Sequence, residues 1–91
     1  MGFLGSMFDS AVAKTMEMKY GIKRPDDAYR VVSRIVGRYD PDEEDIKAVK
    51  FIRDWLKKEA VSGSRQSEAE HTLDQLKRDY HYKDFCNRYH L

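Results

Sequence analysis

The chain is poor in the residues that mark most recognisable functions. Its 91 residues include one cysteine, two prolines and one tryptophan. A single cysteine, Cys86, cannot close an internal disulfide, so a disulfide framework is excluded and a reducing, cytoplasmic setting is the simplest expectation. No apolar run approaches the roughly 18 residues of a membrane span. The start lacks the basic region and long apolar stretch of a secretory signal. No membrane association is therefore expected. Charge of one sign is scarce overall: the net charge is +1 and the pI about 7.8, whereas nucleic-acid-binding domains often exceed a pI of about 9.

Catalytic signatures are missing as well. There is no phosphate-binding G-x-x-x-x-G-K-[ST], no G-x-G-x-x-G, no G-x-S-x-G and no H-E-x-x-H. Cys86 with His71, His81 or His90 could in principle make a nucleophile–base pair. A lone cysteine among aromatics, however, usually packs as a small hydrophobe, and a helical domain of this size seldom encloses a reaction pocket. The sequence reads as a protein without enzymatic activity and without a cofactor.

Metal binding fares little better. His81, Cys86 and His90 read as H-x4-C-x3-H, and Cys86 and His90 could share one helical face. Sulfur and imidazole suit zinc, but a structural site needs four ligands and only His71, far away in sequence, remains to supply one. "DPDEEDIKAVKF" would place Asp40, Asp42 and Glu44 at the first, third and fifth positions of a calcium loop. Asp45 then stands where glycine is needed and Phe51 where glutamate is needed. No metal site is assigned; Cys86 and His90 are the nearest to one.

What is abundant is helical patterning. Hydrophobic residues are 41% and charged residues 36%, enough to fold and too apolar for a disordered chain. The length is that of one domain, residues 1–91. "MGFLGS" fits a myristoylation pattern at Gly2, but the bulky Phe3 argues against it. Residues 1–6 read as a flexible end or a cloning remnant. A first helix is expected over Met7 to Tyr20, with Ser6 and Asp9 as a capping box. Met7, Phe8, Ala11, Val12 and Thr15 would form its face, and Gly21 its C-terminal stop. A second runs from Pro25–Asp26 to Gly37–Tyr39, with Ala28, Val31, Val32, Ile35, Val36 and Tyr39 at i, i+3, i+4, i+7 spacing. A third starts with Asp40 as N-cap, Pro41 at the first position and Glu43 at the third. Its stripe is Ile46, Val49, Ile52 and Leu56, widened by Ala48, Phe51 and Trp55. A fourth begins near Ser67, with Glu70 completing its cap and Ala69, Leu73, Leu76 and Tyr80 as its face. A bend near His81 then separates an aromatic segment, residues 80–91. The fold class that follows is all-α, a compact bundle of four to five short helices built around the second and third.

Charge is strongly blocked along this frame. Lys14–Arg38 holds seven basic and three acidic residues, a net +4. The six residues 40–45 carry five carboxylates, which favour the positive end of a helix dipole. Arg30, Arg34 and Arg38 stand four apart, with Lys23 and Arg24 nearby, and such a ridge could contact phosphates. A helix-turn-helix is the natural comparison, but its reading helix would enter the groove with "DPDEED" foremost, against the phosphate field. The ridge alone therefore carries the alternative reading, a nucleic-acid-binding regulator.

The primary reading is a small regulatory, inhibitor or adaptor protein that acts by protein–protein binding, with a second copy of itself as one candidate partner. Tyrosine and arginine anchor such contacts, and Tyr80, Tyr82, Phe85, Arg88 and Tyr89 supply them in the last twelve residues. Asp42, Glu43 and Glu44 offer an acidic patch for a basic partner. The competing expectation is that the tail aromatics seal the protein's own core over Trp55 and Phe51.

Overall fold

The computed structural model describes Val12 and residues 14–91. The Ser6–Asp9 capping box, the Met7, Phe8 and Ala11 face and the readings of residues 1–6 lie outside the described residues. Among the described residues the fold has five helices: α1 over residues 14–20, α2 Pro25–Val36, α3 Glu43–Ser62, α4 Gln66–Arg78 and α5 Tyr80–Tyr89. The fold class is all-α, a compact bundle of short helices, as the apolar period requires.

α1 ends where glycine is needed. Gly21 adopts φ +69°, a left-handed conformation open to glycine without penalty. Its N–H donates to the Glu17 carbonyl at 3.1 Å, and Ile22 folds back to donate to Met16 at 3.0 Å. Both Met16 and Ile22 are buried. Thr15, expected on the buried face, is exposed. The inward line is Val12, Met16 and Tyr20, at i, i+4, i+8.

α2 starts with Pro25 in its first turn, while the Asp27 carboxylate accepts the N–H groups of Lys23 and Arg24 at 3.1 Å each. Ala28, Val32, Ile35 and Val36 are buried, and Val31 packs beside them half-buried. The helix stops at Val36, so Tyr39 leaves the apolar stripe and is fully exposed.

α3 starts two residues later than expected. Asp42, not Asp40, is the N-cap: it accepts from Asp45 N–H at 2.8 Å, and Asp45 accepts from Asp42 N–H at 3.1 Å. This reciprocal box satisfies two helix-end donors. Arg38 reinforces it with a 2.7 Å bond to the other Asp45 oxygen. Val49, Ile52 and Leu56 are fully buried, each contributing about 1.5–3 kcal/mol by leaving water.

α4 begins at Gln66, without a side-chain cap at its start and without Glu70, which is exposed. Gln66 instead donates across the turn to the Val61 carbonyl at 3.0 Å, joining the end of α3 to the start of α4. Ala69, Thr72 and Leu76 are buried and Leu73 half-buried, whereas Tyr80 is exposed. Buried Thr72 is satisfied within its own helix by the Glu68 carbonyl at 2.9 Å.

The break into α5 falls at Asp79, two residues before the expected bend. Asp79 leaves the helical region and caps α5 by accepting from Tyr82 N–H at 3.2 Å. Its second oxygen accepts from the Tyr29 hydroxyl of α2 at 3.1 Å. Two elements distant in sequence thus fix one corner. α4 packs against α2, α3 and α5, so the centre of the bundle is α4 with α2 and α3, instead of α2 and α3 alone.

Candidate functional site

The tail does not present its aromatics as one outward face. Tyr82 and Phe85 are 8% and 3% exposed and belong to the protein's own core. Tyr89 is half-buried, its ring 4.8 Å from that of Phe85. Tyr80 is 73% exposed and meets His81 edge-on at 5.7 Å. Arg88 points outward and pairs with Asp84 at 3.2 Å. Burial, and then a hydrogen bond with Cys86, push the Tyr82 hydroxyl well above its ordinary pKa. The hydrogen bond from Tyr29 to Asp79, with the Asp79 charge beside it, likewise raises the pKa of Tyr29. Arg53 of α3 reaches the Leu91 carbonyl and ties down the end of the chain.

Cys86 is half-buried. His90 takes the left-handed C-cap of α5 and donates its N–H to the Cys86 carbonyl. Among the described residues, no three His, Cys, Asp or Glu side chains converge as a metal ligand set.

The acidic block is absorbed by local structure. Asp42 and Asp45 cap α3, Glu43 pairs with Lys47 at 3.9 Å, and Glu44 is exposed. The basic residues do not form a continuous ridge either. Arg38 lies beyond the end of α2 and turns to Asp45. Arg24 faces Glu68 at 3.9 Å, and Arg30 stands 3.9 Å from Asp27. Lys23 is exposed. Among the described residues, no ion pair reaches Arg34.

An apolar groove lies elsewhere, on the outer face of α3. Val12, Phe51 and Trp55 line a groove of about 290 Å³, with Asp54, Lys58 and Glu59 around them. Phe51, Trp55, Lys58 and Ser62 recur at i, i+4, i+7, i+11, one continuous stripe of a helix. The stripe is turned away from the face of α3 that carries Val49, Ile52 and Leu56. Tyr20 of α1 stands 6.3 Å from Phe51, which brings the end of α1 beside the first half of α3. The tail packs mainly on α2 and α4, and its aromatics Tyr82 and Phe85 close the protein's own core. The sequence signal for this groove was the width of the α3 stripe, too broad for one neighbour. What periodicity could not supply was which neighbours each side of α3 would meet.

Comparison with protein-family models, with curated proteins and with solved structures finds no match for this chain.

Proposed function

We propose that this chain is a small non-enzymatic binding protein, of the regulator, inhibitor or adaptor kind, that acts through the outer face of α3. The supporting observation is the aromatic groove of Val12, Phe51 and Trp55, an apolar surface rimmed by charge. Half-exposed aromatics with a polar border are the usual anatomy of a contact site. The partner we assign is a second copy of the chain, with the two α3 helices antiparallel.

Charge supports that choice. A two-fold axis crossing α3 at the level of Leu56 sets each Asp54 against Lys58 of the other copy. The same axis sets Phe51 against Val61, which is 79% exposed. Asp54 holds Arg53 at 3.1 Å yet keeps its side chain 55% exposed. The surface is thus self-complementary in both charge and apolar content, as a two-fold contact demands. One stripe of a single helix gives an interface at the small end of the stable range, so dissociation falls at micromolar concentrations.

Light scattering behind size exclusion, over a range of concentrations, tests this. A dimer is expected at low and high salt, because the apolar floor outlasts screening. Trp55, the single tryptophan, should shift its emission to the blue as the dimer forms. Lys58→Glu should weaken the dimer, and Asp54→Lys added to it should restore it. A monomer throughout, with unshifted Trp55 emission, would sink the second-copy assignment.

A further inference from the structure

We propose that the depression between α2 and α4 binds a single phosphomonoester dianion, with Arg30 and Arg34 as its cationic ligands and Ser33 and Gln75 as neutral donors. The inference is independent of the α3 groove. Tyr29, Arg30, Ser33, Arg34 and Gln75 line one depression of about 520 Å³, with Asp26 on its border. Arg30 and Arg34 are four apart in α2, hence neighbours one turn along the same face. Each guanidinium offers five N–H donors in a fork that matches phosphate oxygens. Ser33 sits between them in sequence, and Gln75 comes from the opposing helix. The Tyr29 hydroxyl is already given to Asp79 at 3.1 Å, so Tyr29 contributes a ring wall and no donor.

Two adjacent guanidiniums share this face of α2. Among the described residues, no ion pair holds Arg34. Arg30 has Asp27 at 3.9 Å, but the other oxygen of that carboxylate accepts two backbone N–H groups at 3.1 Å. Of the flanking arginines, Arg38 is held by Asp45 at 2.7 Å, whereas Arg24 stands 3.9 Å from Glu68, the same distance as Arg30 from Asp27. A nucleic-acid backbone presents a row of phosphates and needs a row of cations. Two adjacent guanidiniums, with Arg38 drawn away to Asp45, suit one doubly charged group. The depression is larger than a phosphate, which leaves room for whatever carries it.

The test is titration of the full chain, followed by amide NMR shifts, with three probes. These are inorganic phosphate, a short phosphoserine peptide, and a single-stranded oligonucleotide without terminal phosphates. Saturable shifts are expected on the Arg30–Arg34 turn and at Gln75. Arg34→Gln should weaken binding roughly tenfold, and Asp26→Asn, which removes a repelling carboxylate without touching a donor, should tighten it. Equal affinity for inorganic phosphate and the peptide identifies a small phosphate ligand. Preference for the peptide identifies a phosphorylated side chain, and either result supports the site. Tighter binding of the oligonucleotide than of both monoesters overturns it in favour of nucleic acid. Unchanged affinity in folded Arg34→Gln, or no saturable shift with any probe, overturns it outright.

Discussion

Arg53 offers a direct measure of how α5 is held. Its side chain is 14% exposed, and it splits its donors between two partners. Nη1 donates to the Leu91 carbonyl at the end of the chain, while Nε and Nη2 face Asp54 at 3.2 and 3.1 Å. Magnitude decides which partner matters. Asp54 is 55% exposed, and an ion pair in that setting contributes less than about 0.5 kcal/mol. The bond to Leu91 is charge-assisted and half-buried, a class that contributes about 1.5–3 kcal/mol. Arg53→Met keeps most of the packed stem and removes every donor. The expected loss is about 2 kcal/mol, equivalent to roughly 10 °C in melting temperature for a domain of this size. Asp54→Asn should lose less than about 0.5 kcal/mol. Urea denaturation followed by helical circular dichroism gives both values on one scale. If Arg53→Met lies within about 0.5 kcal/mol of the parent, or if Asp54→Asn loses as much, the assignment of α5 anchoring to the Leu91 bond is wrong.

Two further outcomes follow from single groups. Gly21→Ala should destabilise by about 1 kcal/mol, because the position is left-handed while nothing within 4 Å would touch the added methyl; Gly21→Asn should recover part of that loss, and equal stability of all three in urea would refute a backbone origin. Tyr82 has its folded pKa raised above the ordinary 10.0, so above pH 10 the unfolded chain releases a proton that the native chain keeps. Its contribution is complete below pH 10 and is lost as pH climbs toward the folded value, by at most about 1.4 kcal/mol per pH unit. Tyr82→Phe should flatten that alkaline decline in denaturation midpoints, and an unchanged decline would count against it.

The faces of α2 and α3 were legible because they depend on one helix at a time. Ala28, Val32, Ile35 and Val36, like Val49, Ile52 and Leu56, follow a 3.6-residue period that any bundle must bury. The errors fall where a second element decides. "DPDEED" contains two overlapping capping boxes, one led by Asp40 and one by Asp42. Local preference hardly separates them, and Arg38, bonded to Asp45, supports the later one from outside the helix. The α4–α5 break was read from the shift in apolar spacing near His81. Its residue is Asp79, held by a tyrosine 50 positions away. The tail aromatics looked like a surface because composition counts rings without direction, and Tyr82 and Phe85 turned inward. The α3 groove was half legible: Phe51 and Trp55 stood out as a widening of the stripe, but the shape of a groove is set by the neighbours.

The same logic governs the charges. As a string, Arg30, Arg34 and Arg38 are equivalent, and equal spacing suggests a ridge for a polyanion. Helix α2 ends at Val36, so the third member leaves the face and finds Asp45. The acidic block that made a helix-turn-helix untenable therefore also shortens the ridge, since one of its carboxylates removes one of the arginines. At the other end, Glu68 of α4 lies opposite Arg24. What a polyanion would meet is a two-arginine spot bordered by Asp26 and Asp27, where binding beyond the first phosphate gains little and meets repulsion on one side. Releasing Arg38 by Asp45→Asn should lengthen the positive surface and strengthen salt-sensitive oligonucleotide binding. It should leave the affinity for inorganic phosphate at the α2–α4 depression unchanged. A parallel rise in both would mean that the two arginines and Arg38 act as one field, and the single-phosphate site would lose its basis.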